Sequence, residues 1–243
     1  MADPRAATTS TRWNDWTERR LGQVTMALKR KRVERFVAAC GLGPQHTVLD
    51  LGSEDGSYLA SCYPYPERVV LADVEEGPMR EGVRRFGLKG YELIPREGPL
   101  PFAAGAFDVV WCNSVIEHVT LPRPELATTL DAEFQRRADA HQHAFAAEIA
   151  RVGRAYFVQT PHRHFPIEAH SWLPLMQYLP QERRWKASRA LRSVWVKKWK
   201  ADFLLYDAPR FRRHFPDASI EVESVLGLPK ALIAIRPPTS CSR

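Results

Sequence analysis

The sequence lacks several features that would each assign the chain to a class. It contains no apolar run of the roughly 20 residues that a membrane-spanning helix needs, and its first stretch, MADPRAATTSTRW, contains no apolar signal core. Its cysteines, Cys40, Cys62, Cys112 and Cys241, show no CxxC or CxxH spacing. We therefore expect a reduced, cytoplasmic protein without a transmembrane segment and without a zinc site.

Acidic residues are also fewer than basic residues. The chain carries 28 Asp and Glu against 35 Lys and Arg, which gives a formal net charge of +7. This surplus favours an anionic partner, but it does not choose among nucleic acid, a phosphorylated sugar and an anionic lipid surface. With 243 residues, 44% of them hydrophobic, the chain can form one α/β domain with a sizeable core and an inserted lobe.

Apolar runs alternate with amphipathic stretches in the middle of the chain. Strands are predicted in HTVLDLG, RVVLADV, YELIPRE (91–97), AFDVVWCNS and RAYFVQTP, the last preceded by the helix HAFAAEIARVG. Two further β-rich runs, ASIEVESVLG and KALIAIRP, are predicted to form a hairpin-like pair joined at Leu228 and Pro229. Apolar strands separated by helices indicate an α/β fold with a doubly wound, Rossmann-like sheet of about seven strands, mostly parallel.

The regions outside this alternation define the domain organisation. We expect residues 1–12 to be disordered and residues 13–243 to form a single domain. A helix is predicted over residues 14–40, with Gly41 as its stop, and its basic face is interpreted as solvent-exposed. Residues 168–208 are predicted to form a helical insertion after the fifth strand.

Within the insertion, residues 183–203 combine an apolar stripe with basic residues. The stripe consists of Leu191, Trp195, Trp199 and Phe203 at helical spacing. We therefore predict an amphipathic helix. Three roles remain open for it: a lid over the active site, a peripheral membrane contact or a docking face for a partner.

A glycine turn follows the first predicted strand, in the stretch VLDLGSEDG. Asp50 precedes the turn, Gly52 lets the backbone bend sharply towards a ligand, and Gly56 opens the next helix. The second strand ends at Asp73, about twenty residues further on, where a carboxylate can accept hydrogen bonds from both hydroxyls of a ribose. Because ligands of doubly wound sheets bind beyond the carboxyl ends of the strands, this combination predicts an adenosine-type site at that edge.

From Thr47 to Pro161 the order of motifs resembles class I S-adenosylmethionine-dependent methyltransferases, of the bacterial small-molecule type. VLDLGSEDG resembles their first motif, D-x-G-x-G-x-G, and VVLADV the second, which ends in the ribose-binding acid. PLPFAAGAFDVVWCNSVIEHV resembles the segment around the fourth strand, and AAEIARVGRAYFVQTP the helix and strand that follow. The resemblance implies S-adenosylmethionine as cofactor and S-adenosylhomocysteine as product.

The resemblance also implies which residues hold the cofactor. Asp50 would order the loop near the cofactor ammonium, Gly52 would allow close backbone approach, and Asp73 would bind the ribose hydroxyls. Asn113 and Ser114, at the end of the fourth strand, would line the methionine side. The full predicted cofactor set is Asp50, Gly52, Ser53, Gly56, Asp73, Val74, Glu97, Asn113 and Ser114.

One residue departs from the family motif. Glu54 stands where the second glycine is usual, which brings a carboxylate near the amino-acid end of the cofactor. Its side chain could point outward or contact the cofactor ammonium. A third alternative is that Glu54 abolishes cofactor binding and leaves a docking scaffold without catalytic activity.

Histidines at the same edge of the sheet suggest how an acceptor would lose its proton. In methyl transfer the protein mainly aligns the acceptor for direct displacement, and a base helps when the acceptor is a hydroxyl. His118, after the fourth strand, and His162, after the fifth, are the predicted catalytic bases.

The stretch HRHFPIEAH also offers ligand types for a divalent metal that could orient and acidify a hydroxyl. Its candidates are His162, His164, Glu168 and His170. Pro166 interrupts the loop, and we predict no metal site from the sequence.

The leading functional hypothesis is O-methylation of a small molecule, a sugar or a lipid-linked intermediate in the biosynthesis of secondary metabolites. Arg163 and the net charge fit an anionic substrate. An RNA methyltransferase is the alternative enzyme, although the chain shows no separate RNA-binding module, so nucleic acid is not the expected partner. A rearrangement that uses the sulfonium charge would leave the same sequence signals.

Overall fold

The computed structural model describes residues 26–122, 124–195, 199 and 201–238. The predictions for residues 1–25 therefore lie outside the described residues. The described part centres on a seven-stranded sheet of order β3-β2-β1-β4-β5-β7-β6. The strands are β1 (Val48–Leu51), β2 (Val69–Asp73), β3 (Gly90–Leu93), β4 (Phe107–Asn113), β5 (Gly153–Pro161), β6 (Ser219–Val225) and β7 (Leu228–Arg236).

The sheet is parallel from β3 through β5 and ends in an antiparallel pair. β1 lies between β2 and β4, so the strand order reverses between β1 and β4. β7 runs antiparallel to β5, and β6 runs antiparallel to β7. This topology confirms the predicted doubly wound α/β fold. It also places the switch point, where such sheets bind ligands, beyond the carboxyl ends of β1 and β4.

Helices cover both faces of the sheet. The helices are α1 (26–40), α2 (Ser57–Ala60), α3 (Glu76–Phe86), α4 (Asp131–Val152), α5 (Gln181–Ala190) and α6 (Ala208–His214). On one face, Phe36 of α1 packs on Trp111 and Phe157, with ring centroids 4.8 Å and 5.6 Å away. On the other face, α4 buries residues such as Ile149 against Val110 and Val158. Each face thus carries a continuous apolar layer, which explains the unbroken apolar runs of the central strands.

Two predicted boundaries were wrong. β3 ends at Leu93 rather than Glu97, because the chain leaves the sheet before Pro95, which has no N–H to donate. The hairpin between β6 and β7 turns at Leu226 and Gly227, with φ of 51° and 77°, rather than at Leu228 and Pro229. Two successive left-handed residues match the right-handed twist of hairpin strands.

The prediction of one amphipathic helix over residues 183–203 was also wrong. α5 ends at Ala190, turns follow as far as Val194, and residues 202–205 have no regular secondary structure. Tertiary contacts explain this irregular return. Phe203 is fully buried and stacks on His170, with ring centroids 4.6 Å apart, and the backbone N–H of Leu204 donates to the Glu117 carbonyl.

Members of the predicted stripe face the protein rather than solvent. The Trp195 indole donates to the Ser171 carbonyl at 2.8 Å. Arg184, one of the basic residues of the stretch, is buried, and its guanidinium donates to the Phe203 carbonyl at 3.0 Å. These contacts favour a segment that packs against the rest of the protein rather than a helix that lies on a membrane surface. Among the described residues, no helix has the length and apolar character needed to cross a membrane.

Candidate active site

The turn after β1 leaves a buried carboxyl partly unsatisfied. Asp50 accepts a hydrogen bond from the Ser53 hydroxyl, whereas its Oδ2 is buried and has no hydrogen-bond partner among the described residues. Burial raises the pKa of the Asp50 carboxyl to about 7; the Ser53 bond opposes this rise, and the charges of Asp73 and Asp55 add to it. A ligand N–H or ammonium would satisfy the free oxygen and favour its ionised form.

The glycines in and around this turn leave no room for a side chain. Gly52 has φ of +80°, and a Cβ there would lie 2.5 Å from Cγ1 of Val115, in the loop after β4. Gly56 has φ of +68° and caps α2, as its predicted place at the helix start requires. On the outer side, a Cβ at Gly82 of α3 would lie 2.0 Å from the Asp55 carbonyl oxygen. At Gly52 and Gly56 the turn therefore presents backbone rather than side chains at the carboxyl edge of the sheet.

Asp73 anchors the other side of the turn. Its Oδ2 accepts the backbone N–H of Glu54 at 2.9 Å, and its Oδ1 accepts the N–H of Val74 at 2.6 Å. Glu54 adopts a left-handed φ of 53°, and its side chain is exposed. The outward alternative for Glu54 therefore fits this geometry, and the turn keeps its shape without the second glycine.

Glu97 is the predicted cofactor residue with the least structural support. It lies exposed in the loop after β3, next to Arg96, whose guanidinium is 3.7 Å from Glu75. Its contact with adenine stays a prediction.

Several hydrogen-bonded polar side chains lie on the methionine side of the predicted site. The Ser114 hydroxyl donates to Gln159 Oε1 at 2.9 Å, and Ser114 itself adopts a left-handed φ of 57°. Nη1 of Arg32 lies 3.3 Å from Asn113 Oδ1, 3.5 Å from Gln159 Oε1 and 3.1 Å from the Tyr58 hydroxyl. The ends of β4 and β5 are thus joined through one guanidinium from α1.

Arg32 was missed by the sequence analysis, which assigned it to an exposed basic face. Its side chain is only 12% exposed, and its Nη2 pairs with Glu223 Oε1 at 2.6 Å. The helical pattern placed Arg32 on the basic face, opposite Val33 and Phe36, and nothing in the sequence indicated that β6 and the ends of β4 and β5 would surround it. A buried cation at this position can hold an anionic group.

A cavity of about 320 Å³ adjoins these polar side chains. Arg32, Ser114 and Gln159 line one side of it. The segment after β5 supplies further walls, among them His162, Phe165, Glu168 and Trp172. This volume is in the range of sites for small molecules.

His162 lines the cavity, with one ring nitrogen already engaged. The ring is 7% exposed, and its Nδ1 accepts the backbone N–H of His164 at 3.0 Å. Burial lowers the pKa of His162, the neighbouring His164 lowers it further, and Asp207 opposes this shift. Because Nδ1 is an acceptor, the neutral ring carries its proton on Nε2. His162 is therefore arranged to donate a hydrogen bond rather than to take up a proton.

His118 has the opposite arrangement. Its Nδ1 lies 3.0 Å from Oδ1 of Asp202, and the side chain is 36% exposed. A carboxylate at Nδ1 holds the proton there and leaves Nε2 as the acceptor, which is the orientation that a general base needs. Asp202 was not predicted, because it lies 84 residues further along the chain.

His118 belongs to a larger group, which we call the histidine–carboxylate cluster: Glu117, His118, Glu168, His170 and Asp202. His170 Nδ1 lies 2.6 Å from Glu168 Oε1, its Nε2 lies 3.7 Å from Glu117 Oε1, and its ring meets that of His118 edge to face at 4.6 Å. Burial lowers the pKa of His170, but the two glutamates outweigh it and raise the pKa to about 9. His162 and His164 lie outside this cluster, so the predicted set in HRHFPIEAH does not converge as a unit.

Together these features define the class of protein. The sheet is doubly wound, with a glycine turn at its switch point, a buried acid at the end of β2 and a cavity beyond β4 and β5. This is the arrangement expected of a cleft for a cofactor and an acceptor. The free oxygen of Asp50 and the backbone cradle at Gly52 fit the amino-acid and nucleoside parts of S-adenosylmethionine.

Comparison with known proteins gives the same class. Residues 49–155 match the family model described as a methyltransferase domain, Methyltransf_11. No curated protein gives a significant match to the chain. The match over residues 49–155 supports the predicted enzyme class, an S-adenosylmethionine-dependent methyltransferase, and with it the predicted cofactor.

Solved structures share the fold at low sequence identity. A chain of the complex between the Haloferax volcanii Trm112 methyltransferase activator and the putative methyltransferase is 14% identical, with TM-score 0.53, covering 95% of this chain and 98% of that one. The PH0226 protein from Pyrococcus horikoshii OT3 is 16% identical, with TM-score 0.52 and coverage of 86% and 91%. A SAM-dependent methyltransferase from Aquifex aeolicus is 17% identical, with TM-score 0.47 and coverage of 84% and 88%.

Proposed function

We propose that the enzyme methylates an oxygen of a small acceptor that occupies the cavity beside Arg32, Ser114 and His162. The observation that carries this proposal is the Asp202–His118 pair, which leaves Nε2 of His118 free to accept a proton near the end of β4. An oxygen acceptor is the type that benefits from such a base, because its hydroxyl must lose a proton as the new bond forms.

When bound, S-adenosylmethionine supplies an electrophilic methyl group on a sulfonium. Transfer of this methyl group to the acceptor oxygen would leave S-adenosylhomocysteine, and Nε2 of His118 would accept the hydroxyl proton. Asp202 holds the imidazole in the required orientation and stabilises the imidazolium that forms. His162 donates a hydrogen bond that orients the acceptor in the cavity.

The predicted cofactor residues divide among three parts of the cofactor. Asp73 and Val74 would hold the ribose side, and the turn from Asp50 through Ser53 to Gly56 would cradle the centre. Asn113 and Ser114 would line the methionine end, where Arg32 would pair with its carboxylate.

The cavity walls suggest the chemical class of the acceptor. Phe165, Ile167, Trp172 and Leu205 provide apolar surface, while Arg32 and Lys230 provide positive charge. A mixed wall of this kind suits a small, partly apolar acceptor with an anionic group, such as a sugar or lipid-linked intermediate of biosynthesis. A cytoplasmic location in secondary metabolism is part of the same proposal.

The test is methyl transfer from labelled S-adenosylmethionine to a panel of sugar hydroxyls, phenols, lipid-linked acceptors and amines. We expect transfer to a hydroxyl, and His118→Gln should lower kcat by about 10²–10⁴-fold while the affinity for S-adenosylhomocysteine stays unchanged. His164→Gln is the matched control, because this exposed histidine bonds Tyr178 outside the cluster. Transfer to amines alone, or full activity of His118→Gln, would overturn the proposal.

A further inference from the structure

Three side chains of the histidine–carboxylate cluster converge on one point. Ligand atoms of Glu117, His118 and His170 all lie within 4.8 Å of one another. The first two follow β4 and the third belongs to the insertion, so only the fold brings them together. Donors that share one zinc ion at about 2.1 Å lie roughly 3.4 Å apart, close to the 3.7 Å between Glu117 Oε1 and His170 Nε2.

Both histidines are oriented as metal ligands usually are. His118 presents Nδ1 to Asp202 at 3.0 Å, and His170 presents Nδ1 to Glu168 at 2.6 Å. A carboxylate at Nδ1 fixes the ring and raises the basicity of Nε2, which is the support that metal-bound histidines commonly have. A metal would bind Nε2 of each ring, and that of His170 lies 3.7 Å from Glu117 Oε1.

Glu117 gives an independent indication of a missing partner. The side chain is fully buried, and Oε2 accepts the Thr160 hydroxyl at 2.9 Å. Its Oε1 is buried without a hydrogen-bond partner among the described residues, and it faces His170. Burying a carboxylate oxygen that accepts no hydrogen bond costs free energy. The unpartnered Oε1 of Glu117 therefore points to a bound cation.

The charges of the cluster agree with a cation. Glu117, Glu168 and Asp202 bring three carboxylates together, and Arg184, which interacts electrostatically with Glu168, is one compensating cation nearby. Without a metal, His170 adds a second positive charge, because its pKa is raised to about 9. A divalent ion that displaces this proton would neutralise the cluster with both imidazoles neutral.

We propose that Glu117, His118 and His170 bind a divalent transition metal, with Glu168 and Asp202 as supporting groups. Two imidazoles and one carboxylate suit zinc, iron, manganese or cobalt rather than calcium. Three protein ligands leave at least one coordination position open, which is the pattern of catalytic rather than structural sites. This replaces the expectation, drawn from the sequence, that the protein holds no metal.

The metal deepens the proposed function, on which its catalytic role rests. Glu168 lines the cavity and also holds His170, so the site adjoins the place assigned to the acceptor. An acceptor hydroxyl in the open position would be oriented and acidified by the metal. Nε2 of His118 would then bind the metal instead of accepting the proton, which would pass to solvent. The inference thus keeps the hydroxyl acceptor of the proposed function and changes only how that hydroxyl loses its proton.

The experiment measures metal binding without any assay of activity. Tag-free protein is treated with a chelator, dialysed and titrated calorimetrically with zinc chloride, and its metal content is then determined by mass spectrometry. We expect one zinc per chain. His118→Gln should lose at least about 100-fold in affinity, and Asp202→Asn about 10–100-fold, as supporting groups typically do.

Control variants make the result decisive. His164→Gln removes an exposed histidine of the same segment and should bind zinc as the unmodified protein does. Unchanged affinity for S-adenosylhomocysteine would show that His118→Gln is folded. The absence of stoichiometric zinc, or equal zinc affinity of His118→Gln and His164→Gln, would overturn the metal site.

Failure of the metal site and failure of the proposed function give different results. Hydroxyl methylation that persists in chelator, with no zinc bound, would reject the metal and keep the proposed function. One zinc per chain bound through His118, with no transfer to any hydroxyl, would keep the metal and reject the proposed function.

Discussion

The two ends of the cleft are built in different ways. At the cofactor end, the backbone turn from Asp50 to Gly56 meets a single carboxylate, Asp73, within a short span of sequence. At the proposed acceptor end, side chains from the loop after β4, the segment after β5 and the return of the insertion meet in the histidine–carboxylate cluster. The first end depends on backbone shape, and the second on side-chain chemistry supplied from a distance.

This difference shows which features a ligand imposes. A nucleoside with a charged amino-acid tail needs a backbone that approaches it closely and an acidic side chain at a fixed spacing after the glycine turn. The same local sequence pattern therefore serves many enzymes. An acceptor differs from enzyme to enzyme, so its groups come from insertions, which tolerate change. The comparison predicts that substitutions at the two ends will have separable effects.

The largest expected effect on cofactor affinity is that of Asp73→Ala. The substitution removes the acceptor of the Glu54 and Val74 N–H groups and the proposed ribose contact. Charge-assisted hydrogen bonds contribute about 1.5–3 kcal/mol each, so affinity for S-adenosylhomocysteine should fall by about 100-fold or more. Calorimetric titration measures this, with the exposed Glu75→Ala as control. A loss below fivefold would contradict the assigned role.

Gly52→Ala should weaken the cofactor end by a smaller amount. The new Cβ would lie 2.5 Å from Val115 and force a non-glycine residue to φ of +80°. The positive φ costs about 1 kcal/mol and the overlap about 1–3 kcal/mol, so both thermal stability and cofactor affinity should fall.

The double variant Gly52→Ala with Val115→Ala separates the two causes of this loss. It removes the overlap and keeps the backbone cost, so thermal melting and cofactor titration should show partial recovery. No recovery would mean that Val115 is not the obstacle.

Arg32→Met should distinguish the methionine end from the nucleoside end. The guanidinium would pair with the carboxylate of S-adenosylhomocysteine, which 5′-methylthioadenosine lacks, so affinity should fall about tenfold for the first ligand only. Asp73→Ala should weaken both ligands. Equal loss for the two ligands with Arg32→Met would place Arg32 in a structural role, through its bonds to Tyr58 and Glu223.

The smallest effect concerns the proton on Asp50. Because burial raises its pKa to about 7, a bound ammonium should favour the ionised form and release up to about half a proton at pH 7. Calorimetric heats in two buffers of different ionisation enthalpy measure this release, and Asp50→Asn should abolish the difference. Buffer-independent heats for the unmodified protein would contradict it.

The same pKa also affects folding. The unfolded carboxyl ionises near pH 4 and the folded one near pH 7, so the native state binds more protons between these values. The contribution of Asp50 to stability should therefore fall as pH rises from about 4 to 7. Asp50→Asn should flatten this part of the stability profile, as measured by denaturant unfolding.

Much of the fold and of the cofactor end could be predicted from local sequence. Apolar runs long enough for strands, separated by amphipathic stretches, indicated the parallel sheet, and the structure confirms it. The turn around Gly52 was predicted because only glycine adopts its conformation at low cost. The roles of the individual cofactor residues stay predictions until binding is measured.

The wrong predictions share a cause. The stripe from Leu191 to Phe203 has helical spacing, yet burial of Phe203 on His170 and the bond from Leu204 to Glu117 outweigh helical propensity there. Arg32 was assigned to solvent because its burial depends on β6, which lies 191 residues away at Glu223.

The sequence by itself determined the sheet, its switch point and the backbone turn after β1, because each arises from interactions among near neighbours. Only the tertiary structure decided that Arg32 joins the ends of β4 and β5 and that Glu117, His118, Glu168, His170 and Asp202 form one cluster. Their proximity results from the packing of the insertion against the loop after β4. Contacts of that kind leave no local pattern, because spacing along a chain does not encode which distant side chains meet.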